Sequence, residues 1–168
     1  MNILFLAGEE FEDMEFFYPY YRMIEAGHTP KVAWKELGKV TGKHGYTINA
    51  DLSFSEVDPK DFDALIIPGG KGPSHIRNDK DVIRITKFFF DSDKPVAAVC
   101  HGPQVLISSG VVKGKTLTSY SSVKQEVVSA GGNYLDKEVV VDHNLISSRQ
   151  PSDLPYFTRT ILEQLGKH

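Results

Sequence analysis

The sequence predicts an α/β protein in which a mostly parallel sheet carries helices on both faces. Three observations lead there. Short apolar runs of strand length recur along the chain, and the segments between them carry apolar residues at every third or fourth position. The clearest runs, Ala64-Leu65-Ile66-Ile67 and Val96-Ala97-Ala98-Val99, are apolar throughout, as strands buried on both faces are. Each then meets a turn rich in small residues, Pro68-Gly69-Gly70 and Cys100-His101-Gly102, as expected where a strand hands over to a helix.

Taken in order, Ile3 to Leu6 forms the first strand. Phe16 to Glu25 predicts a helix closed by Gly27, with Phe17, Tyr20, Tyr21 and Ile24 at helical spacing. His28 to Trp34 predicts the second strand. Gly38 to Asn49, with alternating Tyr46 and Ile48, suits a hairpin or an edge extension, and Leu52 and Phe54 follow it. Asp58 to Phe62 predicts a short helix entry before the strand Ala64 to Ile67. Asp79 to Phe90 carries Val82, Ile83, Ile85, Phe88 and Phe89 on a helical stripe, and Pro95 opens the strand that delivers Cys100. A helix from Pro103 to Gly110 comes next, then a crossover from Leu117 to Tyr120 and a short helix from Val123 to Ser129. Val139 to Val141 and Leu145 to Ser148 predict a strand pair around Asp142-His143, and Leu154 to Leu165 the closing helix.

The 168 residues suit a single domain, 1–168, with no linker or repeat. A formal net charge of -3, with no long basic run, offers nothing to phosphate backbones or anionic lipid, so neither nucleic acid nor a membrane surface is an expected partner. No apolar run approaches the ~20 residues of a membrane span. The start lacks a cationic signal-peptide pattern, and the one cysteine cannot form an internal disulfide, so a cytoplasmic location is expected.

That cysteine is the first candidate for chemistry. Ala98-Val99-Cys100-His101-Gly102 places a thiol on a turn between a buried strand and a helix, with small residues flanking it as a nucleophile elbow requires. A helix N-terminus would favour thiolate. The competing reading is a small buried hydrophobe ending a core strand. The loop at Gly69-Gly70 lies at the carboxyl end of a neighbouring strand, and amides of Gly70 and His101 could hold an oxyanion. The same loop fails as a dinucleotide or phosphate fingerprint, because His75 falls where G-x-G-x-x-G needs its last glycine. The six histidines, His168 included, are scattered without metal-ligand spacing, so neither metal nor other cofactor is expected. Among the acids, Glu12 stands out by its place just beyond the first strand, although acids near a helix N-terminus also serve the dipole.

With these residues assembled the chain resembles the DJ-1/PfpI superfamily, in its PfpI-like branch of intracellular proteases and related enzymes. The resemblance runs nearly end to end. It is carried by Ile3-Leu4-Phe5-Leu6 with Glu12, Thr41-Gly42-Lys43-His44-Gly45, Asp63 to Gly70, Lys94 to Gln104, Thr118-Ser119-Tyr120, and Ser147 to Pro155. It implies a flavodoxin-like three-layer sandwich, Cys100 as elbow nucleophile, and Glu12 as a carboxyl hydrogen-bonded to its sulfur. It also implies catalytic help from His101, an oxyanion hole of Gly70 and His101 amides, Tyr120 lining the pocket, and dimers or larger rings. Aromatics on the first predicted helix, Phe16 to Tyr21, fit a subunit contact.

One position departs from the family pattern. Peptidase-type members carry an acidic residue after the Pro-Gly-Gly turn, which orients a neighbouring subunit's histidine, and Ser74 stands there. Amide hydrolysis, which needs a well-held acid for its leaving amine, suffers most from that loss. Glyoxalase or deglycase chemistry is therefore expected first, with Cys100 adding to methylglyoxal, glyoxal or their protein and peptide adducts. A cysteine peptidase, with His75 or a nearby acid as substitute partner, is the first alternative. A redox-sensing or chaperone-like stress protein, in which Cys100 oxidises beside Glu12, is the second.

Overall fold

The computed structural model describes residues 1–166, so His168 lies outside the described residues. β1 (Asn2–Leu6) leads into α1 (Asp13–Glu25) and β2 (Thr29–Trp34), followed by the hairpin β3 (Gly38–Thr41) and β4 (Thr47–Ala50) and the short β5 (Leu52–Ser53). After two 3-10 turns come β6 (Ala64–Ile67), α2 (Gly72–Ile76), α3 (Lys80–Asp91), β7 (Val96–Val99) and α4 (Pro103–Ser108). The chain continues through β8 (Thr116–Leu117), α5 (Lys124–Ser129), β9 (Asn133–Tyr134), β10 (Val140–Asp142), β11 (Leu145–Ser148) and α6 (Leu154–Leu165).

Seven strands form one sheet in the order β10-β11-β7-β6-β1-β2-β5. All its pairings are parallel except that of β10 with β11. Alternation along each strand divides the apolar residues between two cores. Ile3, Phe5, Ile66, Val99 and Ile146 pack with Phe16 and Met23 of α1 and Phe157 and Ile161 of α6. Leu4, Leu6, Leu65, Ile67, Ala98 and Leu145 pack on the other face with Val82, Ile85 and Phe89 of α3 and Val105 and Leu106 of α4. Helices thus cover both faces of a mostly parallel sheet.

From β1 the chain first builds toward β2 and β5, then crosses to β6 and β7 on the other side. The carboxyl ends of β1, β6 and β7 therefore meet at the point where strand order reverses, the usual place for a ligand crevice in an open α/β sheet.

Three differences from the sequence expectation matter. α1 begins at Asp13, not Phe16, because Asp13 and Glu15 are buried in its first turn instead of solvated ahead of it. α2 and the separate pair β8–β9 are too short for periodicity to reveal. The first strand of the pair near His143 is shifted by one residue, to Val140–Asp142, while the second keeps its expected bounds, and the turn between them closes through a left-handed His143 with φ 53°. Among the described residues no helix is long and apolar enough to cross a membrane. On α1, Phe16 is core, whereas Tyr18 and Tyr21 are exposed and with Met14 and Tyr46 line a surface cavity of about 540 Å³.

Candidate active site

Cys100 follows directly on β7 with φ 63°, a left-handed backbone that costs a non-glycine residue on the order of 1–3 kcal/mol. The turn is held by bonds on every side. The Cys100 amide donates to Ser148 O (3.0 Å), its carbonyl accepts from the Tyr120 amide (2.9 Å), and the Gly102 amide donates to Val99 O (2.8 Å). A side chain at Gly102 would collide with Ile67 O and Val99 O. These are the strained strand and crowded glycine of a nucleophile elbow.

Residues 10–12 clasp the Gly69-Gly70 turn, the Glu12 amide donating to Gly69 O (3.0 Å) and the Lys71 amide to Glu10 O (2.9 Å). Gly70 has φ 77°, and its Cα has backbone of residues 10 to 12 where a side chain would go. That conformation turns the Gly70 amide toward the Cys100 sulfur, which the His101 amide also reaches.

The expectation for Glu12 is corrected. The carboxyl against the Cys100 sulfur belongs to Glu15, one turn further along α1. Glu15 is fully buried, its Oε1 accepts the Gly69 amide (3.1 Å), and its Oε2 has no nitrogen or oxygen partner. Glu12 is the N-cap residue of α1, three positions earlier on the same helical face, and its Oε2 sits 3.4 Å from Lys43 Nζ and 3.2 Å from His44 Nε2. The backbone that carries them is held by Asp13, whose carboxylate accepts the His44 and Tyr46 amides (3.0 and 3.1 Å) and so pins the β3–β4 tip to the start of α1.

Electrostatics follow from burial. Burial, and then the negative charge of Glu12, push the Glu15 carboxyl up to about 8. Burial and the charge of Glu15 push the Cys100 thiol up to about 12, against the pull of the Gly70 and His101 amides. The expected activation by a helix N-terminus is therefore outweighed, and α4 is only six residues long. Thiol and carboxyl titrate as one pair. Burial and Lys43 hold His101 below its usual range, so its ring is neutral at pH 7. Its Nδ1 lies 3.2 Å from Cys100 Sγ, its Nε2 lies 3.3 Å from Ser122 Oγ, and its ring stacks on Tyr120 at 5.2 Å.

Glu12, Gly70, Ser74, Cys100, His101 and Tyr120, all named from sequence, line one cavity of about 500 Å³. Sequence reasoning missed Glu15 and Lys43, which line it too. The signal for Glu15 was its spacing three residues after Glu12, which a helix starting at Asp13 converts to a shared face. Ser74 donates to Lys71 O (2.6 Å), and its side chain offers His101 no carboxylate. Among the described residues no group of three or more His, Cys, Asp or Glu is gathered to hold a metal ion.

The chain matches the DJ-1/PfpI family over residues 1–164. It is 48% identical to the protein named Deglycase PfpI of Pyrococcus furiosus, over 98% of this chain and 99% of that one. Identity is 46% with the Bacillus subtilis protein named Putative cysteine protease YraA, over 98% of each chain. It is 44% with Protein/nucleic acid deglycase 2 of Escherichia coli, again over 98% of each. A crystal structure of a two-domain protein with DJ-1/ThiJ/PfpI-like and ferritin-like domains from Anabaena variabilis superimposes with a TM-score of 0.97 at 38% identity, covering 98% of this chain and 48% of that one. This chain thus spans about half of that structure.

Proposed function

Because the chain belongs to the DJ-1/PfpI family, we propose that it is a cysteine-dependent enzyme of the glyoxalase and deglycase type, acting through Cys100 on methylglyoxal, glyoxal or their protein and peptide adducts. The observation that carries this reading is the pairing of a strained Cys100 with a buried Glu15 under the Gly70 and His101 amides. In the reaction, sulfur adds to the aldehyde carbon, and the two amides meet the charge developing on oxygen. The thiol proton passes to the Glu15 carboxylate and from it to the new alkoxide, which leaves a neutral hemithioacetal and a free carboxylate. That carboxylate then moves a proton from the first carbon of the hemithioacetal to the adjacent carbonyl carbon, while the hydroxyl proton crosses to the neighbouring oxygen. The resulting thioester takes up water and releases a hydroxy acid. One carbon is oxidised and its neighbour reduced, so no cofactor enters the balance.

The contact of Cys100 Sγ with His101 Nδ1 favours a second reading, a cysteine peptidase. It ranks second because the other nitrogen of that ring faces the Ser122 hydroxyl and no carboxylate. A redox-sensing role for Cys100 ranks third. Glycated nucleic acid, which the Escherichia coli relative's name includes, ranks behind protein adducts because a net charge of -3 gives no general pull on phosphate. We further propose one domain, a cytoplasmic location, and a homo-oligomer that covers the exposed Tyr18, Tyr21 and Tyr46.

The test is lactate formation from methylglyoxal by purified protein, run beside fluorogenic peptides. Lactate should form with native protein and disappear in Cys100→Ala. Lactate that persists in Cys100→Ala overturns the assignment, and peptide turnover through Cys100 moves the peptidase reading to first place.

A further inference from the structure

We infer that Glu12 selects substrates whose departing group is a nitrogen that carries positive charge as its bond to carbon breaks, so that aldehyde adducts of arginine and lysine are favoured over adducts of a thiol. The inference rests on the deglycase reading and deepens it. Glu12 is only 4% exposed, yet it lines the cavity that holds Cys100. Two side-chain nitrogens approach its Oε2, Lys43 Nζ at 3.4 Å and His44 Nε2 at 3.2 Å. Neither is aligned to donate, and Oε2 has no hydrogen-bond partner.

A buried carboxylate oxygen with an unspent acceptor is costly, and any N–H that aligns with it gains a charge-assisted bond. Its present neighbours are able to leave, because the Lys43 and His44 side chains are 40% and 60% exposed and ride on a hairpin tip. Glu12 has no such freedom. The cavity that Cys100 lines thus holds a buried anionic acceptor, with the Lys43 ammonium in the space that a substrate ammonium or guanidinium suits.

The chemistry makes this acceptor selective. In an amine adduct, R–NH–CH(OH)–C(O)–CH3, the C–N bond breaks as the C–S bond to Cys100 forms. The thiol proton moves to the nitrogen before the C–N bond is fully broken, and the nitrogen then leaves as the neutral amine. Positive charge is therefore present on that nitrogen only while the bond is breaking, so a carboxylate there favours the transition state more than the bound substrate. A thiol adduct develops no positive charge on its leaving sulfur, so Glu12 gives it no such assistance.

The test is the ratio of kcat/KM for the methylglyoxal adduct of N-acetylarginine to that for the adduct of N-acetylcysteine. Glu12→Gln should lower the ratio about ten-fold, the worth of one charge-assisted hydrogen bond. Lys43→Met, which removes the competing ammonium, should raise it. The Glu12 side chain makes no capping bond to α1, so the glutamine variant removes none. A ratio that stays within about two-fold in Glu12→Gln overturns the inference. A second readout needs no turnover. Cys100 is the only thiol, and ethylguanidinium should slow its alkylation by iodoacetamide, with about ten-fold more required in Glu12→Gln. Equal protection of both proteins, or of neither, also overturns it. A protein that processes no adduct yet shows Glu12-dependent protection overturns the deglycase reading and leaves the cation site standing.

Discussion

Glu15→Gln should make the protein more stable above pH 7, while abolishing its chemistry. The folded chain holds the Glu15 proton up to about pH 8, whereas the unfolded chain releases it near 4.5. A carboxyl whose affinity for protons is raised by folding contributes fully below the unfolded value, and stability falls as pH climbs from there to the folded value. Each tenfold change in proton affinity is worth ~1.4 kcal/mol, so burying this carboxyl costs about 3 kcal/mol at pH 7 and about 5 kcal/mol above pH 8. Glutamine keeps an oxygen for the Gly69 amide and carries no charge to desolvate. Urea unfolding followed through the buried Trp34, at fixed protein concentration between pH 5 and 9, measures the difference. Native and variant should be close at pH 5 and diverge by about 2–4 kcal/mol at pH 8, the range allowing ~1 kcal/mol for the lost contact with the thiol. His101 titrates with the opposite sign, but it does so in both proteins and cancels in the difference. Parallel stability curves from pH 5 to 8 would show that Glu15 is not buried against Cys100 in the way the structure has it.

Turnover of methylglyoxal should rise about ten-fold per pH unit below pH 7 and level off near pH 8, as Glu15 becomes able to accept the thiol proton; a profile flat from pH 6 to 8 contradicts that role. Gly69→Ala would drive a methyl group into Glu15 Oε1 and Cys100 Cβ, so it should cost about 1–3 kcal/mol in urea unfolding and slow alkylation of Cys100. Ser74→Glu, assayed with fluorogenic peptides, should bring peptide turnover that the native chain lacks, and native turnover equal to the variant's defeats the reading of that position. Asp13→Ala releases the two amides of the β3–β4 tip and should lower KM for amine adducts, because Lys43 and His44 are then no longer held beside Glu12 and compete less for its carboxylate; a KM that rises contradicts that competition.

The fold was legible because parallel strands announce themselves. Val96 to Val99 and Ala64 to Ile67 are apolar on both faces, and neither run admits a helix of useful length. The elbow was legible for a different reason, since Gly102 is demanded by the carbonyls it touches and Cys100 stands two residues before it. Glu15 was not legible, because its identity as a site residue depends on where α1 begins. Helix boundaries are the weakest part of a periodicity argument, and the first turn of α1 carries Asp13 and Glu15, residues that read as solvated acids when the partner loops are unknown. Only the fold supplies those partners. The Gly69 amide and the Cys100 thiol come from β6 and β7, more than fifty residues away, and no local pattern announces them.

The missing acid beside His101 and the surplus acid beside Cys100 belong to one design. A peptidase needs its proton donor on the leaving-group side of the scissile bond, held by a histidine whose charge a carboxylate supports. Here His101 is held below its usual range, and the nitrogen that faces away from Cys100 meets only a hydroxyl, so it is a poor cation and a weak donor. Glu15 instead sits beside the sulfur, where its ionised form can take a proton from one carbon of a group already attached to Cys100 and hand it to the next. That position suits an isomerisation on the enzyme more than departure of an amide nitrogen. The cost is carried by the parallel sheet, whose buried strands fix Cys100 in a left-handed conformation and keep an uncompensated carboxyl oxygen dry. Relaxing either strain would stabilise the chain and remove the feature that sets its chemistry, the shared proton of a thiol and a carboxyl in one pocket.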